Sequence, residues 1–286
     1  MLTAVPGAPL RRAGLPGTGL AFARTLSGTR VARRLFTAHG TQFAMGFGGF
    51  VSGGVLLAAR SLGIRTAIHE ANVDMGLTNM LLRPFVDELY LAHAETDSRG
   101  RQVGLPMRRT ICALAPDART PPDGMLRVLV MSGSRGVEFL TAVMPPVLEA
   151  VRRAGITVDV RQQTAETFLD DMPAAYRWAD VAIARAGANS VAEMAFAGLP
   201  ALLVPLKDAA ADHQAANARR WTFAGAGPVV DEVRWDGAFV AQWLRLLAMS
   251  PPSWRRASDG ARSLVQADAA RLLVEHCRTL MQGQYA

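Results

Sequence analysis

Cysteine is scarce in this chain. The two residues, Cys112 and Cys277, stand far apart with no metal-ligand spacing, which excludes a disulfide framework and a cysteine-rich zinc site and fits a reducing compartment. Long apolar runs are missing too: none reaches the roughly 18 to 20 residues of a membrane span, so a soluble or peripheral protein is expected. No charged segment followed by a long apolar core and a cleavage site opens the sequence, so a secretory signal is not expected. Tyrosine is limited to three residues, with no RNP or zinc-finger pattern and no regular interleaving of aromatic and basic residues, which sets nucleic acid aside as a partner. Lysine is nearly absent, Lys207 being alone among 31 basic residues, yet arginine carries the formal charge to +7. A basic surface of this kind attracts anionic lipid and phosphorylated substrates alike. At 286 residues, half of them hydrophobic, the chain is long enough for two domains with separate cores.

The most informative stretch is 180–218, DVAIARAGANSVAEMAFAGLPALLVPLKDAAADHQAANA. Two apolar runs of strand length, 181–184 and 200–204, are separated by one helix length, the spacing of a βαβ unit with a parallel sheet; the loops after such strands share one rim. After the first strand, Arg185-Ala186-Gly187-Ala188-Asn189-Ser190 leads into a helix, so backbone N–H groups and the positive helix end face that rim and suit a diphosphate. Ser190-Val191-Ala192-Glu193 equally fits the capping box S-x-x-E, in which both side chains satisfy orphan backbone donors and need no ligand. After the second strand come Lys207 and then Asp212-His213-Gln214 and Asn217, which open the next helix either as ordinary caps or as ligand-binding groups. Spacing alone leaves both alternatives open.

RAGANSVAEMAFAGLPALLVP followed by DHQAANA resembles the donor-binding signature of the MurG family of GT-B glycosyltransferases, which add N-acetylglucosamine from UDP-GlcNAc to a lipid-linked muramyl-pentapeptide. The match is long, ordered and residue-rich, and it favours the ligand-binding alternative at both helix starts. The resemblance extends along the chain. Gly46 to Gly53, a glycine loop between an apolar strand and a helix running to about Leu62, matches GGYVSG with Phe50 in place of Tyr. His69-Glu70-Ala71-Asn72 after a strand at 65–69, with Gly76-Leu77-Thr78-Asn79 at a helix start, matches IHEQN and GxTN with Ala71 in place of Gln. Gly104 to Arg108 matches GNPVR with Leu105 in place of Asn and Arg108 retained. Ser132 to Gly136, between a strand at 127–131 and a helix at 137–153, matches GGSQGA with Arg135 in place of Gln, and Phe168 to Met172 matches FIDDM.

The resemblance implies an α/β chain of GT-B type, two Rossmann-like domains with parallel sheets, the first incomplete and the second shortened. The family's first segment with its GxGGH loop is missing, and about one helix and one strand are missing after Thr164. An exposed sheet edge and apolar face on the first domain are expected from this, with poor solubility or self-association. The expected boundaries are 1–114 for an acceptor and membrane-side domain, 115–124 for a Pro- and Asp-rich linker, and 125–286 for a UDP-GlcNAc-binding domain whose final helix returns to the first. Residues 1–19 read as loop, 20–38 as a helix with an apolar stripe and arginines elsewhere, 86–92 and 156–160 as strands, and 238–249 and 257–282 as helices broken by Pro251-Pro252.

Residue by residue, the resemblance places Ser134, Ala188, Asn189 and Ser190 on the diphosphate, Glu193 on the ribose hydroxyls, the Leu169 backbone on uracil, and His213, Gln214 and Asn217 on the sugar hydroxyls. Gly48, Gly49, Ser52, Asn72, Asn79 and Arg108 line the acceptor side of the cleft. His69, with Glu70 orienting its imidazole, is the candidate general base. No carboxylate cluster for a divalent ion is evident, so neither metal nor cofactor is expected beside the substrate UDP-GlcNAc. The implied partners are the undecaprenyl-linked muramyl-pentapeptide and an anionic membrane surface, met peripherally at the cytoplasmic face of the plasma membrane. The implied activity is inverting transfer of GlcNAc to the C4 hydroxyl of the muramyl group in peptidoglycan assembly. Two alternatives stand beside it: a nucleotide-sugar-binding protein without transferase activity, and a GT-B transferase with another acceptor.

Overall fold

The computed structural model describes residues 15–115, 119–132, 137–164, 169–206 and 213–283. Contacts divide the chain into two compact units, Met1–Pro106 together with Asp268–Ala286, and Met107–Ala267. The division thus precedes the stretch expected as a linker. Arg119, inside that stretch, donates to the carbonyls of Tyr176 (2.9 Å) and Ala179, and these bonds fasten it to the second unit.

The first unit opens with α1 (Leu15–His39), which begins earlier than the expected helix and takes Pro16 and Gly17 into its first turn, where proline's missing N–H costs nothing. Then come β1 (Phe43–Gly46), α2 (Phe50–Ser61), β2 (Arg65–Glu70), α3 (Leu77–Leu82), β3 (Glu88–Leu91) and β4 (Arg101–Gln102). The four strands form a parallel sheet in the order β1-β2-β3-β4. Among the described strands, β1 is paired on the β2 side alone.

In the second unit α4 (Arg109–Cys112) precedes β5 (Met125–Met131), α5 (Val137–Arg153), β6 (Thr157–Gln162), α6 (Met172–Trp178), β7 (Val181–Ala184), α7 (Ala188–Ala197), β8 (Ala201–Leu203), α8 (His213–Phe223), α9 (Gly237–Met249) and α10 (Pro251–Arg262). The sheet is again parallel, ordered β6-β5-β7-β8. Residues 128–131 of β5 and all of β7 are continuous apolar runs because both faces of these central strands are covered. Leu126, Val128, Val130, Val181 and Ile183 join Leu140, Met144 and Val151 of α5 and Val240 and Leu244 of α9 in one core. Leu129, Met131, Ala182 and Ala184 face the other way, onto Tyr176 of α6, Met194 of α7 and Trp221 of α8. Edge strand β6 instead alternates exposed Thr157, Asp159 and Arg161 with half-buried Val158 and Val160.

The last helix, α11 (Ala269–Met281), belongs to the first unit. Leu273 and Leu280, one heptad apart, bury against Ala67, Tyr90 and Val103, while α2 and α3 cover the opposite face through Leu56, Ala59 and Leu82. The expected helix over 257–282 is therefore two helices interrupted between Arg262 and Ala269. Pro251-Pro252 initiate α10, with the Ser250 hydroxyl accepting from Ser253 N.

Candidate functional site

In the second sheet the winding reverses between β5 and β7, and sheets of this kind receive ligands beyond the carboxyl ends of the strands at such a switch point. Ser132 follows β5 there, and Arg185-Ala186-Gly187 follows β7. Ser132 is buried, and its hydroxyl has no hydrogen-bond partner among the described residues. Sequence reasoning passed it over, although its position directly after a buried parallel strand was the available signal. Ser134 lies outside the described residues.

Helix α7 begins at Ala188 with Gly187 as its N-cap, and among the described residues no side chain caps it. Ala188, Asn189 and Ser190 therefore offer backbone N–H groups at the positive helix end. The capping box is not formed: Ser190 is already the third helical residue and Glu193 lies in the second turn. Glu193 is held otherwise. Its Oε1 accepts from Arg108 Nη2 at 3.0 Å and its Oε2 from the Tyr176 hydroxyl at 2.8 Å. Arg108, expected on the acceptor side, thus lies in the second unit and is paired with the Glu193 carboxylate. Tyr176 was not foreseen. It is buried at the core-facing side of α6, and that burial, with the Glu193 carboxylate beside it, pushes its hydroxyl pKa well above the ordinary tyrosine value.

The residues opening α8 divide into two kinds. His213 is half-buried, with an Nδ1 that has no partner among the described residues. Gln214 Oε1 accepts from Leu206 N at 2.9 Å, fixing the end of the segment after β8 and leaving its amide N–H groups as the donors. Asn217 is buried, and its Nδ2 donates to Ala186 O at 3.1 Å, which ties the first turns of α8 to the turn ahead of α7. Arg185 is a further residue missed from sequence. Its buried guanidinium pairs with Glu232 at 2.5 Å, reaches Val204 O at 3.3 Å and lies 5.6 Å from the Phe139 ring centroid, joining the segments after β7 and β8. Leu169 is half-buried, its side chain against the core ahead of α6.

In the first unit the corresponding rim is built around Glu70. This buried carboxylate accepts from Asn72 N (3.0 Å) and Asn72 Nδ2 (2.9 Å) on Oε1, and from Gly76 N (2.9 Å) and Asn79 Nδ2 (2.8 Å) on Oε2. It organises the loop after β2 and makes no bond to His69, which corrects the expectation that it orients the imidazole. Neighbours in a strand point to opposite faces, which is the physical reason. The His69 ring is set instead by Gly104 O, 2.8 Å from Nε2, so the proton sits on Nε2 and Nδ1 keeps its lone pair. Burial lowers the His69 pKa below the ordinary imidazole value, against the opposing pull of the Gly104 carbonyl and the Glu70 charge. Phe47 lies with its ring centroid 5.6 Å from that of His69. Gly48 and Gly49 lead into α2, and Ser52 Oγ donates back to Gly48 O at 2.5 Å. Gly48 has φ +81°, and a Cβ there would stand 3.5 Å from Asn79 Nδ2, so the glycine lets this loop turn against the loop after β2.

Among the described residues no group of three or more His, Cys, Asp or Glu is arranged to hold a metal ion, and no helix is long and apolar enough to cross a membrane.

The model of the glycosyltransferase family 28 C-terminal domain matches residues 127–273, and that of its N-terminal domain matches residues 2–91. The chain belongs to glycosyltransferase family 28. Among family 28 relatives, a protein from Sorangium cellulosum is 36% identical over 92% of this chain and 71% of its own length. One from a Shewanella species is 33% identical over 88% of this chain and 76% of its own. Both are named UDP-N-acetylglucosamine–N-acetylmuramyl-(pentapeptide) pyrophosphoryl-undecaprenol N-acetylglucosamine transferase. The crystal structure of Acinetobacter baumannii MurG superposes with a TM-score of 0.73 at 28% identity, covering 91% of this chain and 79% of that one. The kitacinnamycin glycotransferase superposes with a TM-score of 0.65 at 15% identity, over 95% of this chain and 85% of its own, a likeness of fold alone. Both units of this family 28 chain thus carry the GT-B arrangement of parallel sheets flanked by helices.

Proposed function

We propose that this chain transfers N-acetylglucosamine from UDP-GlcNAc to the C4 hydroxyl of a lipid-linked N-acetylmuramyl-pentapeptide, with inversion at the anomeric carbon, in peptidoglycan assembly. The observation that carries the reading is the state of Glu193 beside the uncapped start of α7. A carboxylate offers about four lone-pair positions. Tyr176 takes one on Oε2 and Arg108 one on Oε1, so each oxygen keeps a position for a further donor among the described residues. Two acceptors side by side match the vicinal 2′- and 3′-hydroxyls of a ribose. The N–H groups of Ala188, Asn189 and Ser190, with Ser134, receive the diphosphate, and the Leu169 backbone receives the uracil.

The charge that grows on the departing diphosphate is stabilised by the α7 helix end, a set of dipoles already in place before reaction. His213 and the Gln214 amide N–H groups address the sugar hydroxyls. In the first unit, Gly48, Gly49, Ser52, Asn72 and Asn79 form the acceptor-side loops, with Glu70 as their scaffold. His69 Nδ1, which is buried and carries the lone pair, is assigned as acceptor of the C4 hydroxyl proton. As that oxygen bonds to the anomeric carbon from the face opposite UDP, the glycosidic C–O bond to the diphosphate breaks and UDP leaves with the electron pair. The exposed Arg30, Arg33 and Arg34 on α1 suit the headgroups of an anionic membrane, met peripherally on the cytoplasmic side where the lipid acceptor is presented.

The test is transfer of labelled GlcNAc from UDP-GlcNAc to a lipid-linked muramyl acceptor. The wild type is expected to turn over and Glu193→Ala to lose at least about a hundredfold in kcat/KM, as removal of two charge-assisted bonds requires. Undiminished transfer by Glu193→Ala overturns the donor-site assignment.

A further inference from the structure

Resting on the reading that Glu193 holds the ribose, we infer that Tyr176 is a positioning residue whose hydroxyl fixes the Glu193 carboxylate and so sets the preference for ribose over 2′-deoxyribose in the donor. Glu193 is a three-torsion side chain on a helix surface, and recognition of a vicinal diol demands that both its oxygens be held in one plane and one rotation. Of its two partners among the described residues, Arg108 is poorly suited to impose this. Its side chain is 63% exposed while that of Glu193 is 15% exposed, and exposed ion pairs are weak and readily exchanged. Tyr176 is 1% exposed, its ring locked in the core with Met194, Ala182 and Leu129. Its hydroxyl therefore stands at a fixed point, and the 2.8 Å bond to Oε2 transfers that fixity to the carboxylate.

The chemistry of the phenol also fits the task. Burial and the adjacent carboxylate hold the hydroxyl in its protonated form, so it is always a donor toward Glu193. It adds no formal charge and uses one lone-pair position of Oε2, leaving the other open. Both residues follow strands or turns of the second unit, and α6 and α7 pack against each other directly, so the pair needs nothing outside that unit.

The experiment titrates UDP and 2′-deoxy-UDP into the full chain and into Tyr176→Phe, Glu193→Ala and the double variant, alongside donor KM and kcat in the transfer assay. Tyr176→Phe keeps the ring and removes the hydroxyl, so its thermal midpoint is expected within a few degrees of wild type. Its preference for UDP over 2′-deoxy-UDP is expected to fall roughly tenfold, the scale of one bond to a charged group, with donor KM raised and kcat nearly retained. In the Glu193→Ala background, removal of the hydroxyl should have no further effect on that preference, because the tyrosine acts through the carboxylate. If Glu193→Ala loses the preference while Tyr176→Phe keeps it, or if Tyr176→Phe weakens both nucleotides equally, the inference is overturned and the ribose assignment stands. A preference that survives in Glu193→Ala overturns the ribose assignment itself.

Discussion

Glu70 and His69 show how two adjacent residues acquire unrelated roles once a strand is built. The pair is legible in the sequence as a unit; the structure separates it, sending the carboxylate into four bonds with the 72–79 loop and the imidazole toward Gly104 O. Local spacing carries no record of Gly104, which is brought in by the end of a different strand. The buried neutral imidazole has a measurable consequence. Its folded pKa lies below the unfolded value of about 6.5, so its contribution to stability is complete above that value and is lost as pH falls through the folded pKa. Urea unfolding at about pH 7.5 and pH 5.5 should therefore show a larger loss on acidification for the wild type than for His69→Gln. Equal losses would remove the burial argument. The acid limb of kcat/KM should have an apparent pKa below 6.5 in wild type if His69 takes the proton. Ser132 gives a second test at this scale. Its buried hydroxyl has no partner among the described residues, so Ser132→Ala is expected to change unfolding free energy by less than about 1 kcal/mol, or to raise it.

Helix α7 is the element on which sequence and structure differ most usefully. S-x-x-E in front of an apolar run has the spacing of a cap, yet the helix has already started at Ala188, because Gly187 supplies the extended N-cap residue. The pattern was readable; its phase relative to the helix start was not, since that phase is set by where β7 ends against β5 and β8. Helix α10 carries a sharper constraint. A Cβ added to Gly260 would stand 2.4 Å from the backbone oxygen of Ala224, and a main-chain atom cannot swing aside. Gly260→Ala is accordingly expected to destabilise the second unit by about 1–3 kcal/mol in denaturant unfolding, despite the gain in helix propensity. A neutral result would mean that α10 shifts freely on α8 and the turn after it.

The chain divides into two compact units, and its last helix belongs with the first. Residues 268–286 belong with the first unit because Leu273 and Leu280 cover Ala67, Tyr90 and Val103 on the face opposite α2 and α3. Truncation after Ala267 should therefore raise amide exchange throughout β2 and β3 and leave β5 and β7 protected; uniform loosening of both sheets would contradict the division. Much of this was determined by the sequence alone. Strand length, helix length and glycine position impose the repeated βαβ pattern, because periodic burial and special backbone angles are properties of a few neighbouring residues. The family signature over 180–218 also reads directly, since it is contiguous in the chain. Tertiary structure decided what contiguity cannot reach. It placed Arg108 on Glu193 across 85 residues and Tyr176 on the same carboxylate across 17, and it paired Arg185 with Glu232. Such contacts depend on which strand lies beside which, and that order is fixed by the packing of whole sheets and helices rather than by any local run of residues.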